Sequence, residues 1–180
     1  MAKTYKGKFT SLKNPSKYGG DVTKIVYRSH WERNAFRWCD ENPNIVEWSS
    51  EEVFVPYENP TKGRAKYYPD LLIKMTDGTV RMIEIKPKKQ VNKPEYSRKT
   101  KKAMTEEITW QINQSKWEAA KKLCDKNGLV FEIWTEDTLK EMGILTWETD
   151  KSVLMAESSR SNKPKLKPIR RKVTRPKRKS

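Results

Sequence analysis

The stretch from Tyr68 to Lys86 reads YPDLLIKMTDGTVRMIEIK, and it decides how this chain folds. Two apolar runs rich in β-branched residues flank Asp77-Gly78. An Asp-Gly pair between such runs is a strong short-range signal for a β-hairpin. We therefore predict two antiparallel strands that are joined by a tight turn at this point.

The length of this turn determines which side chains share a face of the hairpin. A two-residue loop would pair Asp70 with Ile85, and Asp70 and Glu84 would then point to opposite faces because side chains alternate along a strand. A three-residue loop, with Gly78 left-handed in a bulge, would place Asp70 directly opposite Glu84 and Lys86 on the same face. Glycine at the third loop position suits this longer turn.

With the longer turn, Asp70, Glu84 and Lys86 form a charged cluster on a half-buried surface. Two facing carboxylates destabilise a sheet unless their charge is compensated. A divalent cation would compensate it, and Mg²⁺ takes carboxylate oxygens while it keeps several waters. Lys86 would then orient or help to deprotonate an attacking water and stabilise charge on a phosphate. The alternative is an edge hairpin with solvated charges.

The composition points to a polyanionic partner. The 180 residues include 39 Lys and Arg against 23 Asp and Glu, which gives a formal net charge of +16. Nucleic acid is the first candidate for such a chain. No apolar run has the length of a membrane span, so we expect no membrane partner. We interpret Cys39 and Cys124 as reduced core thiols, because neither has the spacing of a zinc ligand.

Helical and strand patterns alternate along the chain and predict an α/β fold, with a mixed central β-sheet flanked by helices. Ser29 and Glu32 form a capping box for a helix to about residue 40 or 41. A second helix is expected from Thr105 or Glu106 to Lys126. Strands are expected in the central hairpin and at Ile45–Trp48, Val53–Tyr57 and Leu129–Trp134, the last of them internal to the sheet because it is almost continuously apolar.

Charge divides the chain into three parts: a basic N-terminal arm at 1–24, a folded domain at 25–150, and a basic, proline-containing tail at 151–180. Within the domain, residues 87–104 read as a mobile basic loop near the mouth of the charged cluster. Its cations are candidate DNA contacts: Lys88, Lys89, Lys93, Arg98, Lys99, Lys101 and Lys102. A solvated surface loop would be equally basic.

Pro69-Asp70 followed by Glu84-X-Lys86 resembles the motif of the PD-(D/E)XK nuclease superfamily. The resemblance implies a restriction-endonuclease-like core and double-stranded DNA as substrate. It also implies that Asp70, Glu84 and the carbonyl of Ile85 bind Mg²⁺, with Mn²⁺ as the alternative ion, while Lys86 assists the attacking water.

Two further residues enter the site through this resemblance. The pattern alone explains Glu32 as a cap, but the run YRSHWER at 27–33 is similar to a segment of transposon-type endonuclease subunits and phage head nucleases. There a glutamate reaches toward the same metal. A glutamine on the following helix contacts substrate or water in many superfamily members, which makes Gln111 a candidate, although its pattern is that of an ordinary helix residue.

Residues 7 to about 143 also resemble the head completion nucleases of T-even-like tailed bacteriophages. The resemblance rests on these segments: Gly7-Lys8-Phe9, Asn14-Pro15-Ser16-Lys17-Tyr18, 27–33, Asn42-Pro43-Asn44, 48–52, Tyr67-Tyr68-Pro69-Asp70 and Glu84-Ile85-Lys86-Pro87. It implies an endonuclease that trims or seals the packaged DNA end before tail attachment. Head or neck/portal proteins would be its partners, in the virion and in the host cytoplasm during assembly.

Two other functions fit part of the sequence. A structural DNA-binding connector that kept the nuclease fold would be equally basic, but it would not need clustered acids that face DNA phosphates. An RNA-binding protein would also be basic, but the chain lacks the aromatic stacking signatures of the usual RNA-binding modules. The sequence therefore favours a Mg²⁺-dependent DNA endonuclease.

Overall fold

The computed structural model describes residues 6–98 and 100–145. Eight strands and four helices are formed there, with a 3-10 turn at Pro15–Lys17. The strands are β1 (Gly7–Lys8), β2 (Val26–Tyr27), β3 (Ile45–Ser49), β4 (Val55–Asn59), β5 (Gly63–Tyr67), β6 (Leu71–Met75), β7 (Val80–Ile85) and β8 (Val130–Trp134). The helices are α1 (His30–Glu41), α2 (Lys88–Val91), α3 (Lys101–Asn127) and α4 (Glu136–Glu141).

The central sheet has the strand order β3-β6-β7-β8. β6 runs antiparallel to β3 and β7, whereas β8 runs parallel to β7. This confirms the predicted α/β fold with a mixed sheet flanked by helices. The expected internal position of the last strand is wrong, because β8 forms an edge of the described sheet. Its apolar side chains are explained by helices instead, since α3 and α4 both pack against β8.

The hairpin of β6 and β7 has the three-residue loop. Leu71 lies opposite Ile83, and the N–H of Met75 donates to the carbonyl of Thr79 over 2.8 Å. Gly78 closes the loop with a φ of +84°, a conformation that glycine adopts without strain. Continued by one pair, this register sets Asp70 opposite Glu84.

Two hydrophobic cores cover the two faces of this hairpin. Leu71 and Ile83 face a core that includes Phe36 of α1. Leu72 and Met82 face a second core, which contains residues of α3 and of the β4–β5 ribbon. Because side chains alternate along a strand, Glu84 points to the same face as Met82.

β4 and β5 form a separate two-stranded ribbon. The sequence predicted β4, but it treated the residues after Asn59 as a connection to the central hairpin. In the structure Val55 lies opposite Tyr67, and both side chains are buried against the core beside α3. Arg64 and Lys66 alternate with Ala65 and Tyr67, so β5 carries one large apolar side chain and lacks the apolar run that marks a strand.

Residues 6–24 differ from the expected arm, because two of their aromatic side chains enter the main core. The ring centroids of Phe9 and Tyr18 lie 6.2 Å and 4.8 Å from that of Trp48, both edge-on. Asp40 of α1 also holds this segment, since its carboxylate accepts the backbone N–H groups of Lys13 at 2.6 Å and Asn14 at 3.1 Å.

Replacing Asp40 with Ala is expected to lower the free energy of unfolding by about 2 kcal/mol, because the partly buried N–H groups of Lys13 and Asn14 lose their charged acceptor. Urea denaturation measures the change. Glu41→Ala is the matched control: Glu41 makes an exposed ion pair with Lys13 at 2.9 Å, so its loss should cost at most about 0.5 kcal/mol. Equal effects of the two substitutions would show that Asp40 does not anchor residues 6–24.

The two main helices follow local signals at their ends. The predicted cap of α1 is confirmed, with the N–H of Glu32 donating to Ser29 Oγ at 3.1 Å. α3 ends as expected before Gly128, whose φ is +67°, but it begins at Lys101 and therefore earlier than expected. The Thr100 hydroxyl accepts the N–H of Ala103 and starts the helix there.

Cys39 and Cys124 are buried free thiols, as predicted. No helix in residues 6–98 and 100–145 is long and apolar enough to cross a membrane. Lys99 and the tail expected at 151–180 lie outside the described residues.

Candidate active site

Three charged residues meet at one end of the central hairpin. Asp70 immediately precedes β6, Glu84 is the penultimate residue of β7, and Lys86 follows that strand. The Glu84 side chain is only 3% exposed, and its Oε1 lies 2.8 Å from the Nζ of Lys86. Its other oxygen accepts a hydrogen bond from the hydroxyl of Tyr67 at 2.6 Å. Both oxygens of a buried carboxylate are therefore oriented.

Asp70 is half-buried beside this pair. Its Oδ2 accepts the N–H of Ile85 over 2.7 Å, which fixes the carboxyl group against the end of β7. Burial raises the pKa of Asp70 well above its ordinary value, and the negative charge of Glu84 raises it further, while Lys86 acts in the opposite direction. Burial and this repulsion therefore favour the protonated form of Asp70 unless a further cation is present.

Lys86 lies between the acidic residues. Burial by itself would lower the pKa of Lys86, but the charges of Glu84 and Asp70 outweigh it, so the net shift of the pKa is upward. The ammonium group is thus kept protonated next to Glu84, and it can donate hydrogen bonds to a phosphate or a water.

Glu32 acts as a helix cap and also lies near the cluster. Its Oε2 accepts the N–H of Arg28 at 2.7 Å, and its Oε1 accepts the Ser29 hydroxyl at 2.9 Å. Burial is the main cause of a raised pKa at Glu32, and the positive charge of Lys86 partly offsets it. Both its carboxylate oxygens are engaged in the cap, so a role at the metal would need this carboxylate to turn toward Asp70.

The described residues contain no group of three or more His, Cys, Asp or Glu side chains that is arranged to hold a metal ion. The candidate donors stay those predicted from the sequence: Asp70 and Glu84, with the carbonyl of Ile85 as the expected third ligand. Such a set leaves positions for water and phosphate oxygens, as Mg²⁺ sites in phosphate chemistry commonly do.

The expected mobile loop at 87–104 is partly ordered by α2 and by the first turn of α3. Lys88 differs most from a free loop cation. Its N–H donates to Glu136 and its Nζ lies 2.7 Å from Asp137, so α4 neutralises it. Lys93 lies 5.8 Å from the ring centroid of Trp110. Four other candidate cations of this segment are solvent-exposed: Lys89, Arg98, Lys101 and Lys102.

The residue of α3 that lies near Tyr67, the partner of Glu84, is not the one that the sequence suggested. Gln111 is exposed, and its amide nitrogen lies 3.4 Å from Glu107 on the same helix, as an ordinary helix residue would. Lys116 instead lies over Tyr67, with its Nζ 5.7 Å from the ring centroid. Tyr67 was also missed. Its position next to Tyr68-Pro69-Asp70 is a signal in the sequence, but its hydrogen bond to Glu84 depends on the pairing of β5 with β4.

Comparison with known proteins identifies the family. Residues 42–136 match the family model described as TnsA-like endonuclease N terminal, and this range includes Asp70, Glu84 and Lys86. The chain is also 43% identical over 145 residues to the head completion nuclease of Enterobacteria phage T4, which covers 77% of this chain and 96% of that protein. The predicted resemblance is thereby confirmed: the chain belongs to the family of TnsA-like endonucleases.

Proposed function

We propose that this protein is a divalent-metal-dependent DNA endonuclease that acts in the completion of phage heads. The observation that carries the proposal is the register of β6 and β7, which brings Asp70, Glu84 and Lys86 to one end of one hairpin. Family membership supplies the reaction class, and the similarity to a head completion nuclease supports the stage of phage assembly.

The residues present fit a hard divalent cation. Asp70 and Glu84 offer carboxylate oxygens. Burial, and after it the charge of Glu84, raise the pKa of Asp70, and a bound cation would favour the ionised carboxylate against both. These two side chains and the Ile85 carbonyl would hold Mg²⁺, with Mn²⁺ as the alternative. When bound, the ion supplies Lewis-acid activation of water and neutralises charge on the scissile phosphate.

The protein side chains orient the reactants around this centre. Lys86 presents an ammonium group that hydrogen-bonds the attacking water or a non-bridging phosphate oxygen and stabilises charge in the transition state. The Tyr67 hydroxyl fixes the rotamer of Glu84 from the opposite side. Glu32 supports the site electrostatically, and Gln111 keeps only the weaker role of a substrate contact from α3.

Membership of this endonuclease family implies that DNA is the substrate. We propose that basic side chains hold the DNA backbone. Lys89, Lys93, Arg98, Lys99, Lys101 and Lys102 form the proposed contact set, with Lys88 contributing after release from Asp137. Affinity should therefore fall steeply with salt. Head or neck/portal proteins would position the enzyme at the packaged end in the virion.

The direct test is cleavage of linear and supercoiled DNA by the purified full-length chain with Mg²⁺, Mn²⁺ or EDTA. Cleavage is expected with either ion and is expected to stop in EDTA. Asp70→Ala should reduce it at least about 100-fold, because one of two carboxylate ligands is lost. DNA that is bound but left intact, also by protein assembled on phage heads, would favour the structural connector instead.

Metal binding can be tested without activity. Asp70→Asn keeps an acceptor for the Ile85 N–H but removes the repulsion with Glu84, so in EDTA this variant should be as stable as the parent or up to about 1 kcal/mol more stable. Mg²⁺ at tenfold its Kd should stabilise the parent by about 1.4 kcal/mol, and it should have little effect on the variant.

Thermal unfolding measures both changes. Asp77→Asn is the matched control, because Asp77 is exposed in the hairpin loop, where its side chain accepts the N–H of Thr79. This control should respond to Mg²⁺ as the parent does. An Asp70→Asn variant that Mg²⁺ stabilises as strongly as the parent would place the metal elsewhere.

A further inference from the structure

The β4–β5 ribbon has one buried and one exposed face. Val55, Tyr57 and Tyr67 point into the core beside α3. The alternate residues point outward, and two of them are large aromatic side chains: Phe54 is 46% exposed and Tyr68 is 45% exposed. The register of the ribbon, continued by one pair, sets these two rings opposite each other.

Phe54 and Tyr68 form an open pair of rings. Their centroids lie 6.1 Å apart, and the ring planes are inclined by 51°. Rings that are tilted in this way do not cover each other's faces. Ring surface of Tyr68, and the face of Phe54 that Lys66 does not cover, therefore stay available to a flat ligand. Contiguous exposed apolar surface of this kind is one of the features of a binding surface.

Two basic residues, Lys66 and Arg64, lie on the same face of the ribbon as the rings. The Nζ of Lys66 lies 4.3 Å from the centroid of Phe54, and exposed Arg64 follows on the same side of β5. Lys66 lies opposite Pro56, and Arg64 lies opposite Glu58 at the far end of the ribbon. The end with the two rings therefore carries the ammonium group of Lys66, which complements a phosphate group.

This surface, the outer face formed by Phe54, Lys66 and Tyr68, adjoins the candidate site. Only Pro69 separates Tyr68 from Asp70, and two residues of extended chain span at most about 7 Å. On the buried side of the same strand, Tyr67 contacts Glu84. A nucleotide on this surface would therefore be held by a residue two positions from Asp70.

We infer that this outer face binds an unpaired nucleobase of the substrate strand, so that the preferred DNA has a frayed or single-stranded end at the cleavage position. Bases within a duplex are stacked on their neighbours, whereas an unpaired base offers its face to aromatic side chains. Phe54 and Tyr68 hold the base, and Lys66 holds its phosphate. The inference rests on the proposed nuclease function and specifies its substrate.

The test uses the full-length chain and DNA that carries 2-aminopurine, a base whose fluorescence falls when it stacks. The base is placed either in the unpaired arm of a forked duplex or at the same position in a fully paired duplex. Ca²⁺ replaces Mg²⁺ so that binding is measured without cleavage. The parent protein should quench the unpaired probe and bind the fork more tightly than the duplex.

The double variant Phe54→Ala/Tyr68→Ala should lose this quenching, and its affinity for the fork should fall roughly 5- to 150-fold, the usual effect of removing one base-stacking contact. Its affinity for the duplex should change less than about twofold. Phe54→Tyr/Tyr68→Phe should retain quenching because both rings remain. Val46→Ala, at a side chain of β3 that is 49% exposed, is the control for loss of exposed apolar surface.

Each outcome decides between the two hypotheses. Unchanged binding and quenching in the double variant would overturn the inference. An equal loss on fork and duplex would also overturn it. If the parent cleaves DNA with Mg²⁺ while the double variant behaves like the parent, the inference fails alone. If the parent quenches the fork but cuts no DNA with any metal ion, the nuclease proposal fails and the base-binding surface stands.

Discussion

Lys86→Met is expected to reduce DNA cleavage roughly 100- to 1000-fold at saturating Mg²⁺, because it removes a preorganised ammonium group from the place where charge develops. Affinity for DNA in Ca²⁺ should change much less, since many other cations are proposed to contact the DNA backbone. The substitution also leaves the buried carboxylate of Glu84 without its 2.8 Å ion-pair partner. Cleavage should therefore be measured with metal present and after the fold has been checked by circular dichroism.

Lys86→Arg separates the two roles of this residue. Arginine keeps the positive charge beside Glu84, so the variant should fold as stably as the parent. Its broad, planar guanidinium group cannot take the position of the compact ammonium group. Cleavage should therefore still fall at least about tenfold if Lys86 handles the water.

Lys74→Met is the matched control for these variants, because Lys74 is an exposed lysine at the opposite end of β6. It should retain cleavage within about twofold. Full activity in Lys86→Met would remove Lys86 from the reaction, and full activity in Lys86→Arg alone would reduce its role to that of a positive charge.

Trp48→Ala is expected to lower the free energy of unfolding by about 3 to 5 kcal/mol, the range for removing a buried aromatic side chain. Trp48 is 1% exposed, and its ring contacts Phe9, Tyr18 and Phe36. One side chain thus joins residues 6–24, α1 and the central sheet. Urea denaturation measures the change, and an unaltered slope would show that two-state unfolding is preserved.

Val46→Ala on the same strand should cost less than about 0.5 kcal/mol, because Val46 is exposed. Trp48→Phe should recover part of the lost stability, since a smaller ring still fills most of the space. A cost below about 1 kcal/mol for Trp48→Ala would show that residues 6–24 fold independently of the tryptophan.

Part of the candidate site could be predicted from residues that are close together in the sequence. Counting residues outward from Asp77 and Gly78 was enough to predict that a three-residue loop would place Asp70 opposite Glu84. That loop is present. The sequence alone left both loop lengths open. A shift of the register by one residue moves every side chain of a strand to the opposite face. Only packing against α1 on one side and α3 on the other selects the register.

Other parts of the site depend on contacts between distant segments. Tyr67 reaches Glu84 only because β4 and β5 form a ribbon over α3. Lys88 is neutralised by Asp137, a residue 49 positions later. Gln111 and Lys116 both lie on α3, and which of them lies near Tyr67 depends on how that helix is rotated on the sheet.

The sequence by itself determined what nearby residues can specify: the cap of α1 at Ser29, the end of α3 at Gly128, the hairpin turn and the excess of positive charge. These signals act within a few residues and need no tertiary contact. The tertiary structure alone decided the edge position of β8, the pairing of β5, the burial of Phe9 and Tyr18, and the partners of the charged groups. Those features depend on which surfaces pack together, because burial of apolar area and compensation of charge are summed over the whole fold.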